Sequence, residues 1–476
     1  MRRSPFVLAA IALALSASCI GPDRTDPRPL LDRIAYGPSP EDTRRIREIG
    51  ARAFIEEQLD PTSIDDSAFE ARLASYPTVG MSLADIASIQ TIGPDVPMLE
   101  SMDAKILRAA YSKRQLEAIL SDFWFNHFHV RNDGITVGSY ERDVIRAHVL
   151  GRFEDMLVAV ARSPAMAIYL NNMENVRDGV VIGGVERGIN ENYARELLEL
   201  HTVGVDAGYT QQDVIALARC LTGWSVDFEE PDGFTYIDGL HDKGPKQVMG
   251  LAIGANGGED DGRRALAYLA AHPSTAAQIA RKLVRRFVDE NPPQALVDTA
   301  TDTFLRTRGD LREVMRTILL SDAFLSRPPR TKLKRPLVLI ASTIRALRLE
   351  IQDDVGFYRS YLWLLGELPY NAGDPRGYSE NSAQWLASGA LLSRLEFVWL
   401  AAGRARAAGL DLDVSGSEPS FELIGRIKVR LALSRLSSGT LQPIVDYAEW
   451  LAVLPPDIRA VETAGLVLSS PEFQYH

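Results

Sequence analysis

Helical spacing of apolar residues runs through most of this chain and almost nowhere gives way to strict alternation, and no other feature limits its fold as much. Leu116, Ile119, Leu120, Phe123 and His127 share one stripe, Val144, Ile145 and His148 a second, Met156 and Val160 a third. Punctuation agrees with the pattern. Ser39, Pro40 and Asp42 compose a helix start that Gly50 ends, and 51–59 reads as a second short helix. Thr210 and Asp213 make a capping-box-like start for 214–221. Ser274 is expected to cap 276–288, and Gly309-Asp310 to open 311–320. Further helices are expected over 337–347, 358–365 and 383–400. Strand signal is confined to 234–237 and 247–253, which flank a turn-rich stretch and would form one hairpin. The expected fold class is mainly α, a multi-helix compact body with at most a small β-hairpin.

The N-terminus reads as a targeting segment. Arg2 and Arg3 precede an apolar run over 6–15, too short to span a bilayer and suited to a signal peptide of 1–18. Small residues then lead to Cys19, as in a bacterial lipobox, although Leu15 sits one place further from the Cys than usual. The expectation is lipidation at Cys19, a tether over 19–30, a main helical body over 31–330 and a C-terminal helical lobe over 331–476. The Pro- and basic-rich stretch 326–336 marks that boundary. No later run is apolar for long enough to be a second membrane segment.

The net charge of -11, lowered by two when Arg2 and Arg3 are removed, excludes a nucleic-acid partner. The basic spots Arg281-Lys282, Arg285-Arg286 and 327–335 read as a solvated face and a linker. Cys220 is the other of the two cysteines, so acylation of Cys19 would leave no internal disulfide. Its apolar helical setting makes Cys220 a small hydrophobe. The acidic stretch 254–262 and the Gly-rich 179–188 read as mobile loops, the latter lacking a phosphate-loop Lys.

The polar groups of 190–224 (NENYARELLELHTVGVDAGYTQQDVIALARCLTGW) sit at the margins of strongly helical sequence. Together with FWFNHFHV at 123–130, SPAMAIYLNN at 163–172, HDKGPKQVMG at 241–250, HPSTAAQIARKLVRRFV at 272–288 and WLASGALLSRLEF at 385–397, they form an ordered series. The series opens with LLDRIAYGPSP at 30–40, and EEQLDP closes that first helical unit. In this series the chain resembles the domain-of-unknown-function 1800 family of bacterial exported proteins. Two places depart from that pattern. Tyr36-Gly37 stands where Phe-Gly is common, and Gly377-Tyr378-Ser379-Glu380-Asn381 stands for a Gly-Trp-Pro-Gly-Gly-like turn. The resemblance implies a secreted, mainly helical protein and supplies no reaction.

Candidate chemistry rests on histidines and acids. His127 and His129 are two apart and cannot share a metal on one helix; they can if the chain turns extended after Asn126. His127 is otherwise a satisfied core histidine. His201 continues the Tyr193 and Leu197 face, beside a Glu191–Arg195–Glu199 ladder. It either lies buried beside that ladder or shares a polar pocket with Glu196. His241-Asp242 is either a solvated turn pair or a functional loop pair. His148 and His272 read as structural, and His476 as disordered. HExxH, paired CxxC, EF-hand, Glu-x-x-His, Gly-x-Ser-x-Gly and Walker patterns are all missing from the sequence. Two functions stay open. One is an exported, lipid-anchored cell-envelope protein, periplasmic, outer-membrane or surface-exposed, acting as a scaffold for an envelope protein partner. The other is an envelope enzyme in which His127, His201 and His241 converge with Glu196 and Asp242, with a divalent metal such as zinc as the default cofactor.

Overall fold

A helix that is apolar on every side has to be buried on every side. Pro336–Leu347 meets that rule: all its residues are buried. Its polar groups are satisfied from within the protein. Thr343 donates back to the Leu339 carbonyl at 2.8 Å, and Arg345 donates to the carbonyls of Gly37 and Ala110 and pairs with Asp42. Around this axis pack Val96–Tyr111 and Ser388–Ala407, and Arg28–Ile34 lies on Gln115–His127. The computed structural model describes residues 27–476 apart from 89–92, 94, 132, 327–331, 352–353, 410–414, 416 and 434–435. The signal peptide, Cys19 and most of the tether therefore lie outside the described residues. Described structure begins inside the expected tether, because Arg28 and Leu30 are already buried in the helix Arg28–Ile34.

The chain is mainly α, as its periodicity predicts. Ser39 caps Pro40–Ile49, Gly50 ends it at φ 84°, and Thr210 with Asp213 completes a full capping box. Asp310 caps Leu311–Leu319. Other expectations need correction. The cap of Pro273–Phe287 is His272, whose Nδ1 accepts from the Ser274 amide, so Ser274 lies inside the helix. The helix expected over 383–400 is broken into Ser382–Trp385 and Ser388–Ala407.

Among the described residues three hairpins form instead of one. Segments 234–237 and 247–253 do not pair with each other. Trp224–Val226 pairs with Phe234–Tyr236, and Lys246–Val248 with Leu251–Ile253. The physical cause of the second is local: Met249 and Gly250 both take positive φ, which makes a two-residue hairpin turn. Gly183 and Gly184 do the same between Val180–Ile182 and Val185–Arg187, so the Gly-rich stretch is a hairpin rather than a structureless loop. The acidic stretch 254–262 is no free loop either, since the helix Asp260–Ala270 starts within it.

One hydrophobic core runs from Leu30 to Phe473 and includes residues on both sides of the 330/331 boundary. His476, expected to be disordered, is buried. It exchanges backbone hydrogen bonds with Lys332 at 3.1 and 2.8 Å, and its Nδ1 donates to the Asp32 carbonyl at 2.7 Å.

Candidate functional site

The helix Gln115–His127 and the segment Asn192–His201 bring His127 and His201 together. The latter begins as an α-helix and widens to a π-helical turn over Leu197–His201. That turn swings the His201 ring inward against Phe128, Tyr193 and His127, with the two imidazole centroids 6.1 Å apart. His127 bridges two elements. Its Nε2–H donates to the His201 carbonyl at 3.1 Å and its Nδ1 accepts from Lys282 Nζ at 3.0 Å. Lys282 also donates to the Leu200 carbonyl at 3.1 Å. Burial lowers Lys282 to about 8, with Arg285 adding to the effect. Burial, then Lys282, brings His201 down to about 3, and the same causes hold His127 well below the ordinary imidazole range. Both rings are therefore neutral at pH 7. Neither ring nitrogen of His201 completes a hydrogen bond, nor does the nearby Tyr193 hydroxyl.

His241 belongs to a different constellation. Its Nδ1 faces the Thr222 carbonyl at 2.8 Å and its Nε2 faces Asp261 Oδ2 at 3.2 Å. Lys246 reaches the same Asp261 oxygen at 2.6 Å, and Arg219 clamps Asp242 with bonds of 2.8 and 2.9 Å. His241, Lys246 and Asp261 are all buried, so the His241-Asp242 pair is not a solvated turn. Asp261 comes from the stretch read as a free acidic loop, which is why the sequence hid it. Glu196 joins neither group. It is half-buried, and burial, followed by the like charge of Glu199, raises its carboxyl above the ordinary range. His148 donates to the Val144 carbonyl as part of its helix, as a structural histidine should. Cys220 is fully buried, and burial pushes its thiol up to about 12.

A network of buried charge lies elsewhere, and part of it falls on the basic spots read as a solvated face and a linker. Arg335 donates to Glu367 at 2.8 Å and to Glu380 at 2.7 Å, and lies 3.3 Å from Asp122. Lys105 stands 3.3 Å from Asp122 and 3.0 Å from Glu141. Lys332 and Arg286 converge on Glu380, and the Tyr370 hydroxyl donates to Glu141. The four carboxylates are matched by four cations, so the network is neutral as a whole. Burial alone would raise Asp122 and Glu380. The surrounding cations win and hold both below the ordinary carboxylate range. Glu367 stays raised by burial despite Arg335, because Asp122 opposes it from the same side. Lys332 falls to about 8 through burial, since Glu380 is shared with Arg286 and Arg335.

A small cleft opens onto this network, lined among others by Asn126, His129, Tyr370 and Tyr378. Its enclosed part has room for a molecule no larger than water. The helix ends at His127, so His129 leaves the helical row and reaches the cleft while His127 does not. Burial lowers His129 to about 4, partly offset by the Ala372 backbone and by Asp374. Gly377 has φ 70°, and a Cβ there would lie 2.5 Å from the Asn126 carbonyl oxygen. The turn can approach the helix only with glycine at that position. The departure from the family-like turn thus keeps its glycine and supplies Glu380 to the network.

The basic spots require a correction. Lys332, Lys334, Arg335 and Arg286 are buried among acids from distant segments, and 327–331 lie outside the described residues. The available signal was an ionisable residue inside an apolar helical run, as with Lys105 in DAKILRAA and Asp122 in AILSDFWF. Among the described residues, no three His, Cys, Asp or Glu side chains are grouped to hold a metal ion, so the zinc set His127, His201 and His241 does not assemble. A model of the family described as protein of unknown function (DUF1800) matches residues 29–475. No curated protein and no solved structure matches the chain.

Proposed function

We propose, for a chain that belongs to the DUF1800 family, the role of an exported, lipid-anchored helical scaffold of the cell envelope that works by binding a partner rather than by chemistry. One observation carries this reading. The acids and bases beside the cleft are closed on one another, Lys105 on Asp122 and Arg335 on Glu367 and Glu380. Such networks fix how helices pack. The anchor rests on Arg2 and Arg3, the apolar run over 6–15 and the small residues before Cys19. Among the described residues no helix is long and apolar enough to cross a membrane, so attachment would fall to the lipid. Cys19→Ser should move the protein from the membrane fraction to the soluble fraction. Unchanged partition would refute the anchor.

A second reading, catalysis, has one observation in its favour: neutral His129 lines the cleft and its ring nitrogens complete no hydrogen bond of good geometry. His129→Asn separates the two, because Asn fills similar space and cannot take a proton. Under the scaffold reading this variant, expressed at normal level, replaces the wild type in a deletion strain without loss. Failure to complement by a folded variant would favour an enzyme.

A further inference from the structure

The C-terminal helices carry an apolar surface that their own packing leaves uncovered. Phe421 is 70% exposed, Trp450 66%, Val453 87% and Val429 80%. These residues lie on neighbouring elements of that region. Buried Arg459 donates to the Ala448 carbonyl at 2.9 Å, the Glu418 carbonyl at 2.7 Å and Ser420 Oγ at 2.8 Å. It thereby ties the end of Ser438–Trp450 to the start of Ser420–Arg430, one residue from Phe421 and two from Trp450, and the exposed run Val453-Leu454-Pro455-Pro456 follows. From Phe421 a strip follows Ser420–Arg430 through half-buried Gly425 to exposed Val429, because residues four apart share a helix side. Beside the strip Arg426 pairs with Glu422 at 2.8 Å, and exposed Glu449 adds an acid next to Trp450.

The far end of the strip meets the start of the folded chain. Arg28 approaches the Ala432 carbonyl at 3.5 Å and donates to the Glu472 carbonyl at 2.9 Å. Eight residues, 20–27, separate Cys19 from Arg28. Fully extended they reach at most about 28 Å, roughly half the diameter expected for a body of this length. A lipid on Cys19 would therefore hold this corner, and no opposite one, close to the bilayer.

We propose that the Phe421–Gly425–Val429 strip and the Trp450–Pro456 turn seat on the lipid surface beside the anchor, with Trp450 and Phe421 at headgroup depth. This rests on the anchor reading above. The ligand is the apolar–polar boundary of a bilayer, since exposed aromatics favour that layer and the paired charges give no preference for anionic lipid.

The test uses the full lipidated chain in phosphatidylethanolamine vesicles, with a polarity-sensitive fluorophore on Trp450→Cys or Val453→Cys. The native Cys220 is buried and Cys19 is acylated in this reading, so labelling is specific. Glu154→Cys, on the helix Phe153–Arg162, supplies the aqueous control. Expected are a blue shift and loss of emission to brominated acyl chains at 450 and 453, and neither at 154. Aqueous behaviour at 450 and 453 in membrane-bound protein overturns the seating and leaves the anchor standing. Shielding from iodide without quenching by brominated lipid means a second copy covers the face, which also overturns it. Equal membrane partition of Cys19→Ser overturns the anchor, and the argument from tether length with it.

Discussion

Arg335→Met is expected to destabilise the folded chain by about 3–5 kcal/mol, because it removes one side of a buried ion network and leaves the other side charged. Arg335 is 2% exposed and serves Glu367, Glu380 and Asp122 at once. Its carboxylate partners have differing reserves. Glu380 keeps Lys332 and Arg286, and Asp122 keeps Lys105, but Glu367 is left with the Leu337 amide at 2.9 Å. Methionine fills much of the volume, so the loss reports charge rather than a cavity. Arg335→Lys should recover only part of it, since an ammonium cannot present the planar fork that meets two carboxylates together. The matched control is Arg426→Met, which breaks a half-exposed pair with Glu422 and should cost less than about 1 kcal/mol. Urea unfolding followed by circular dichroism measures all three. Equal losses for Arg335→Met and Arg426→Met would show that the buried network contributes nothing special.

Acid should weaken the protein well above the pH at which carboxylates titrate. His201 and His476 are brought down to about 3 and His129 to about 4, in each case chiefly by burial, and His127 lies well below the ordinary range for the same reason. The unfolded chain protonates these rings near pH 6.5, whereas the folded chain does not. The unfolded state therefore binds more protons below that pH, and stability falls as pH falls. The contribution is intact above about pH 6.5 and is lost progressively down to about pH 3–4. At about 1.4 kcal/mol per ring per pH unit, His201, His476 and His129 together cost about 3–4 kcal/mol between pH 6 and pH 5, and His127 acts in the same direction. Glu117, Glu196, Glu367 and Asp103, all raised by burial, take up protons in the folded chain and oppose the loss towards their own range. Urea midpoints at pH 7, 6 and 5 should fall steeply, and His201→Phe should flatten the slope by about one ring's share. A midpoint constant from pH 7 to pH 5 would contradict the neutral, buried assignment.

What could be read in the sequence followed the range of the interactions. Caps such as Ser39 with Asp42 and Thr210 with Asp213 act over three residues, so their pattern is visible in any short window. Helical stripes act over one or two turns, and they placed His127 and His201 inward, where they lie. The charge network could not be read in this way. Arg335 and Glu367 are 32 residues apart, and Lys105 and Glu141 are 36 apart. Only a surrounding apolar run marks such a residue as buried, and 327–335 has none. Asp261 was missed for a similar reason, as its partners His241 and Lys246 lie across a hairpin whose turn, Met249-Gly250, was not recognised.

The closure of the two ends of the folded body has a consequence in time. Arg28 contacts Glu472, and Asp32 contacts His476, each across 444 residues. At about 5–20 residues per second, a ribosome leaves the first helix without these partners for about 20–90 s. These end-to-end contacts therefore cannot form while the chain is being made, and contacts of such separation are slow to form even afterwards. A nascent protein built this way keeps its N-terminal helix without its C-terminal partners for as long as synthesis lasts.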